Sequence, residues 1–191
     1  MPELGRLLPG ATWLGLVLLF AACVMPAAAR DIEVRALSSR VEAGRFLIDA
    51  TLDVRLTPNT REALDNGVTL QFVLETSLLK PRRLWWDDEL TNETRRFLLS
   101  RHALADGYLL SEAGSDRQQT YKRLEDALQA LGSFEGYDAG EVDDARPPRQ
   151  YRGRLRLRLD IEALPAPLRP IAYVSPSWRV SSGWYEWSFA R

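Results

Sequence analysis

The sequence is poor in the residues that usually carry chemistry: among 191 residues it has one cysteine, Cys23, and one histidine, His102. This scarcity excludes a disulfide framework, a zinc site of cysteine and histidine, and a Cys-His nucleophilic pair of the usual pattern. Neither sign of charge dominates, with 25 basic against 26 acidic side chains, which excludes a nucleic-acid binder driven by excess positive charge. The P-loop and G-x-G-x-x-G motifs are also missing, so we predict no cofactor.

The composition that remains is that of a globular protein. Hydrophobic residues make up 46% of the chain and charged residues 27%, unlike a disordered or multi-span membrane chain. The length suits one ordinary domain with a sizeable core.

The first 29 residues have the pattern of a secretory signal peptide (residues 1–29). One basic residue, Arg6, precedes a mostly apolar stretch at 7–25, and a small-residue A-x-A cleavage site ends at Ala29. The stretch is interrupted by proline and glycine and is short for a membrane span of about 20 residues. We therefore predict a periplasmic or otherwise exported protein with a single β-sandwich domain over residues 30–191.

Two alternatives to cleavage stay open. The first is an uncleaved segment that anchors the protein in the inner membrane. The second is a lipid anchor at Cys23, because Leu-Phe-Ala-Ala-Cys at 19–23 resembles a bacterial lipoprotein box. Phe20 departs from the residues usual in that box.

Apolar and polar residues alternate through most of the chain after the signal, which predicts strands with one buried face. The even positions of residues 45–56 are apolar, and so are the odd positions of residues 151–161. Gly44, in the turn after Glu42, predicts a tight hairpin between the first two strands.

Other local signals complete the predicted fold. A short helix begins after Thr57 and ends at Asn66-Gly67, and leucines at i, i+4 and i+7 predict a helix near residues 121–131. We expect an acidic loop over residues 133–150. The fold class that follows is mainly β: an antiparallel β-sandwich, immunoglobulin-like or related, of about seven strands with one packed α-helix, preceded by an N-terminal signal helix.

The most conspicuous polar feature is a row of four arginines, which strand alternation places on one face over about 20 Å. Such a row suits an anionic lipid, a glycan or an acidic protein. The alternative is cross-strand pairing, for which Asp49 and Asp53 on the strand at 45–56 are candidates. The arginine row consists of Arg152, Arg154, Arg156 and Arg158.

A second candidate contact is the segment that holds Arg82, Arg83, Trp85 and Trp86. Two adjacent rings cannot both face one interior from a regular strand, so this segment suits a partner or a membrane interface. The alternative is that the tryptophans cover the core.

Catalytic candidates are few. Ser100 and His102 lie two apart, hence on one strand face, but about 6.5 to 7 Å from each other, which is too far for a nucleophile and its base. Carboxylates cluster at 87–89 and at 143–144, without the spacing of an EF-hand, and we predict no metal site.

Several motifs, each weak alone, occur in an order that resembles the proteobacterial domain-of-unknown-function family 4390 (DUF4390). The resemblance implies a small secreted envelope protein with no catalytic residues to carry over, and it suggests a membrane sensor kinase as a partner. The motifs are Gly-Val at 67–68, the segment 83–86, Arg-His-Ala-Leu at 101–104, the helix at 124–128, Tyr-Arg-Gly-Arg at 151–154, the segment 159–170, Trp178 and Ser-Gly-Trp at 182–184.

From these features we expect a non-catalytic envelope protein that binds another protein or an anionic component through the arginine row and the segment 82–86. A small periplasmic hydrolase using Ser100, His102 or the carboxylates at 87–89 is one alternative. A lipid carrier with a hollow between its sheets is the other. We expect no nucleic acid or nucleotide as a ligand.

Overall fold

The computed structural model describes residues 31–81, 87–102, 106–142 and 150–190. These residues form two antiparallel sheets, which confirms the predicted mainly β sandwich, although with nine strands and three α-helices instead of about seven strands and one helix. The predicted signal peptide, with Cys23, lies outside the described residues. The strands are β1 Ile32–Glu42, β2 Arg45–Val54, β3 Leu70–Lys80, β4 Asp88–His102, β5 Gly107–Glu112, β6 Gln118–Tyr121, β7 Ser133–Glu141, β8 Gln150–Leu159 and β9 Tyr185–Ala190, and the helices are α1 Pro58–Asp65, α2 Leu124–Leu131 and α3 Arg169–Val174.

The two sheets differ in size. The smaller one has the strand order β1-β2-β7, and the larger one has the order β6-β5-β4-β3-β8-β9. Two short 3-10 turns, Ile161–Ala163 and Pro176–Trp178, flank α3. Within the part of the chain that is described, no helix has both the length and the apolar character needed to cross a membrane.

The predicted alternation produces the core. Phe46 and Ile48 of β2 are 0% exposed, and Leu155 and Leu157 of β8 are at most 1% exposed. Buried side chains from both sheets and from the helices form one cluster, so the inner faces pack directly on each other. A side chain with no accessible surface borders no void large enough for water, so the interior is filled at these positions.

Local turn and cap signals are confirmed. Ala43 and Gly44 have φ of 50° and 74°, as a tight hairpin turn requires, and β1 pairs with β2 in antiparallel fashion. The Thr57 hydroxyl accepts a hydrogen bond from the Thr60 amide at 3.3 Å and caps α1, which ends at Asn66. The leucine-spaced helix is α2, capped by Gly132.

The predicted acidic loop over residues 133–150 is wrong, because its first nine residues form β7. This strand lacks regular alternation, and two register shifts interrupt its pairing with β2. Arg45 of β2 binds both Asp138 and Glu141 and so brings the acidic segment into the sheet. The strand predicted from about Arg95 begins seven residues earlier, and β6, α3 and the 3-10 turns were not predicted.

Candidate functional site

The arginine row lies on the outer face of the six-stranded sheet, since the residues that alternate with it point into the core. The carboxylates that face it come from β3, from β4 and from the residue before β4. The ion pairs are Arg152 with Asp87 at 2.8 Å, Arg154 with Glu89 at 2.8 Å, Arg156 with Glu75 at 2.7 Å and Arg158 with Glu75 at 3.3 Å. The row is therefore a largely neutralised layer and not an open cationic strip.

Glu75 is the centre of this layer. It lies opposite Arg156 in the β3–β8 register and accepts hydrogen bonds from both Arg156 and Arg158. Burial by itself would raise the pKa of Glu75, but the hydrogen bond from Arg156 and the two positive charges outweigh it, so the pKa lies below its usual 4.5. Glu75 is thus ionised at neutral pH and holds two guanidinium groups in place.

The suggestion that Asp49 and Asp53 pair with the row is wrong. Both belong to β2 in the smaller sheet, whose polar face points away from the outer face of β8. Asp49 binds Arg40 at 2.6 Å, and Asp53 binds Arg35 at 2.7 Å. Sequence alternation identified the polar faces correctly but did not reveal which strands are neighbours.

An exposed tryptophan covers the middle of the row. The Cζ atoms of Arg156 and Arg154 lie 4.4 Å and 5.0 Å from the ring centroid of Trp184, within the range of cation–π attraction. Trp184 is 40% exposed. Strand alternation does not associate Trp184 with the row, and in the sequence it stands out only within the motif Ser-Gly-Trp at 182–184.

The two residues before Trp184 explain its position. Ser182 is buried and pairs with Leu157 of β8 in both directions: its amide donates to the Leu157 carbonyl at 3.0 Å, and its hydroxyl accepts from the Leu157 amide at 3.1 Å. Gly183 then takes a φ of 64°, which favours glycine, and the chain turns Trp184 over the outer face. The Ser-Gly pair directly before Trp184 is the signal in the sequence that could have indicated this position.

Two polar side-chain atoms of β3 and β8 on this face are buried without a hydrogen-bond partner among the described residues: Nε of Arg154 and Oγ of Ser77. Ser77 and Arg154 are direct cross-strand neighbours. Buried polar groups without partners are rare in folded proteins, and each calls for an explanation such as a bound water, an ion or a functional contact. The Arg154–Trp184 part of the row is therefore the part whose hydrogen bonding is least complete.

The other sequence candidates are not brought together with this site as an enzyme would require. Ser100 and His102 alternate with the buried Leu99 and lie on the outer face of β4. Asp87 and Glu89 bind arginines of the row. The remaining candidates, Arg82, Arg83, Trp85, Trp86, Asp143 and Asp144, lie outside the described residues.

A separate groove of about 790 Å³ runs between the β5–β6 side of the larger sheet and β7. Arg95 lies in it, donates to Glu112 at 2.9 Å and places its guanidinium 5.0 Å from the ring centroid of Tyr137. Burial raises the pKa of Tyr137 to about 12. The groove is lined by both signs of charge, so no single class of ligand is favoured.

The fold and the row define a two-sheet β-sandwich protein with a Trp-capped, internally paired arginine surface. A family model, a domain of unknown function (DUF4390), matches residues 29–188, and the chain belongs to this family. No curated protein and no solved structure matches the chain significantly.

Proposed function

We propose that this protein is exported to the periplasm of a proteobacterium by the signal peptide at residues 1–29 and works there as a non-catalytic binding module for a protein partner. The contact surface is Trp184 together with Arg154 and Arg156. The observation that carries the proposal is the exposed Trp184 ring, held over two guanidinium groups that are themselves fixed by carboxylates.

The residue types of this surface are those that contribute most to the binding energy of protein–protein interfaces. Tryptophan and arginine dominate the binding energy of protein interfaces, particularly where the side chains are ordered before binding. Ser182 fixes the approach to Trp184, and the ion pairs fix the arginines, so little side-chain entropy is lost when a partner binds.

The pairing within the row favours a protein over an anionic envelope component. Four carboxylates, Glu75, Asp87, Glu89 and Asp160, lie within 4 Å of the four guanidinium groups. A phosphate or a glycan carboxylate would have to displace one of them, whereas the flat Trp184 ring is available without any rearrangement. A membrane sensor kinase, suggested by the resemblance described above, is one candidate partner.

The segment with Arg82, Arg83, Trp85 and Trp86 stays part of the predicted surface. It connects β3 to β4, and Asp87, directly after it, binds Arg152 at one end of the row.

The two alternative functions receive less support. A hydrolase would need Asp87 and Glu89 released from their arginines, and it would need Ser100 and His102, on the outer face of β4, gathered into a pocket. A lipid carrier needs an apolar hollow, but the inner side chains of β2, β3 and β8 are packed in one buried cluster, and the groove beside Arg95 is lined by charged side chains of both signs.

Affinity capture from detergent-solubilised envelope extracts tests the proposal. Trp184→Ala is expected to lose a partner that the wild-type chain retains, while its circular dichroism spectrum stays that of the folded protein. Tyr173→Ala is the control, because Tyr173 is an exposed aromatic residue on α3 whose hydroxyl binds Glu162 and not an arginine of the row. Identical captured proteins for wild type and Trp184→Ala would reject this surface.

A further inference from the structure

Helix α3 carries an unusual concentration of exposed apolar side chains. Ile171, Tyr173 and Val174 are 56%, 50% and 78% exposed, and they account for three of the five large hydrophobic side chains that are exposed in the described part of the chain. Ala172, on the opposite side, is fully buried and holds the helix on the sandwich. Contiguous apolar side chains on a surface mark a contact with a protein or a membrane.

The projection is held rigidly. The 3-10 turn after α3 is tied to α1: the Thr57 hydroxyl donates to the Ser177 carbonyl at 2.6 Å, and the Asn59 side-chain amide donates to the Ser177 hydroxyl at 2.7 Å. Trp178 is buried beneath the turn. Prolines at 165, 167, 170 and 176 restrict the backbone on both sides. The apolar side chains therefore do not fold back onto the core.

Both signs of charge lie next to α3: the hydroxyl of Tyr173 donates to the exposed carboxylate of Glu162, while the next charged residues along the chain are basic. Residues 163–185 contain two arginines, Arg169 and Arg179, and no acidic residue. Arg169 donates to the Leu164 carbonyl at 2.7 Å and Arg179 to the Tyr173 carbonyl at 3.2 Å, and neither forms an ion pair with any described residue. Unlike the arginine row, these two guanidinium groups keep donors for an external anion.

The position of α3 in the fold relates it to the N-terminal segment. The Arg55 amide, just after β2, donates to the Asp31 carbonyl at 2.8 Å, and Thr57, two residues on, binds the turn after α3. The chain that follows the predicted signal segment thus enters the sandwich at the α3 end. The hairpin at Ala43 lies at the opposite end of β1 and β2.

We propose that the α3 end of the sandwich docks on an anionic phospholipid surface, with Ile171, Tyr173 and Val174 entering the interface and Arg169 and Arg179 contacting lipid phosphates. Aliphatic and tyrosine side chains beside arginines form the usual interfacial combination. Arg169 and Arg179, which form no ion pair with described residues, attract anionic headgroups and outnumber Glu162, whose carboxylate contacts Tyr173. The inference rests on the proposed envelope location only because that location supplies a membrane.

The test uses the full chain with Cys23→Ser, so that a fluorophore attaches only where a cysteine is introduced. Val174→Cys reports on the α3 end, and Ala43→Cys reports on the opposite end. With vesicles of phosphatidylcholine and one third phosphatidylglycerol, a lipid-borne quencher is expected to reduce emission at 174 but not at 43. Apparent affinity should be at least about tenfold weaker on phosphatidylcholine alone. No quenching at 174, equal quenching at both sites, or no dependence on anionic lipid would overturn the proposal.

Substitutions that each add one negative charge then test whether α3 itself enters the lipid interface. In the Val174→Cys protein, Ile171→Asp is expected to abolish the quenching at 174, whereas Ser115→Asp, which adds the same charge at an exposed turn, is expected to preserve it. Quenching that survives Ile171→Asp would contradict insertion of α3. Trp184→Ala should leave vesicle binding intact and Ile171→Asp should leave partner capture intact, so either proposal can fail without the other.

Discussion

Replacing Glu75 with glutamine is expected to lower the free energy of unfolding by about 2 kcal/mol. Glutamine preserves the size of the side chain and one acceptor oxygen, so the change removes mainly the negative charge. Arg156 and Arg158 then lose the carboxylate that both of them share, and Arg158 keeps only the more distant Asp160, at 3.8 Å.

The magnitude follows from burial. The Glu75 side chain is 19% exposed, and those of Arg156 and Arg158 are 29% and 34% exposed. Breaking a fully buried pair costs about 3 to 5 kcal/mol, and an exposed pair contributes about 0 to 1 kcal/mol. A partly buried carboxylate with two partners falls between these limits.

Chemical and thermal denaturation measure the effect. For a domain of this size, about 2 kcal/mol corresponds to a decrease in Tm of roughly 4 to 8 °C. Glu89→Gln is the matched control, because Glu89 is 39% exposed and binds Arg154 alone; we expect less than about 1 kcal/mol. Equal losses for both variants, or none for Glu75→Gln, would refute the view that Glu75 organises the row.

Three further predictions concern the same fold. The pKa of Glu75 is lowered in the folded state, so the difference in free energy of unfolding between wild type and Glu75→Gln should be fully present above pH 4.5 and should vanish as pH falls through the folded pKa. A difference that persists in acid would contradict this. Gly153→Ala should destabilise by roughly 2 to 3 kcal/mol, because the new Cβ would lie 2.2 Å from the Trp187 ring, against about 1 kcal/mol for Gly114→Ala, which meets no neighbour but has a φ of 83°. Tyr137→Phe should be no less stable than wild type at neutral pH. Because burial raises the pKa of Tyr137 from 10.0 to about 12 in the folded state, wild type should lose stability that the variant keeps as pH rises from 10.0 through about 12; identical alkaline denaturation profiles would count against it.

Local signals predicted much of this fold. The alternation in β2 and β8, the Ala43-Gly44 turn and the Thr57 cap depend on residues close in sequence, and each has one physical interpretation. By contrast, β7 depends on a distant partner: Arg45 of β2 draws in Asp138, 93 residues away. An acidic, glycine-containing segment becomes a strand only because that edge is available to it.

The candidate site was only partly predictable from the sequence, because its contacts also join residues that are far apart in the chain. Alternation placed the four arginines on one face, but their partners depend on the β3–β8 register, which joins Glu75 to a residue 81 positions later. Trp184 reaches the row through Gly183 and the Ser182–Leu157 hydrogen bonds, so a periodic pattern could not place it. Sequence reasoning therefore identified the face and missed Trp184, the residue on which the proposed contact depends.

In-cell photo-crosslinking at Ser188 tests the central claim most directly. Ser188 is exposed and lies opposite Arg152 on the outer face, next to the row, whereas Ser115, in the exposed turn after β5, serves as the control position. We predict a discrete adduct with one envelope protein from position 188, none from 115, and loss of the adduct when Trp184→Ala is added. No adduct at 188, or an adduct that Trp184→Ala leaves unchanged, would contradict the account.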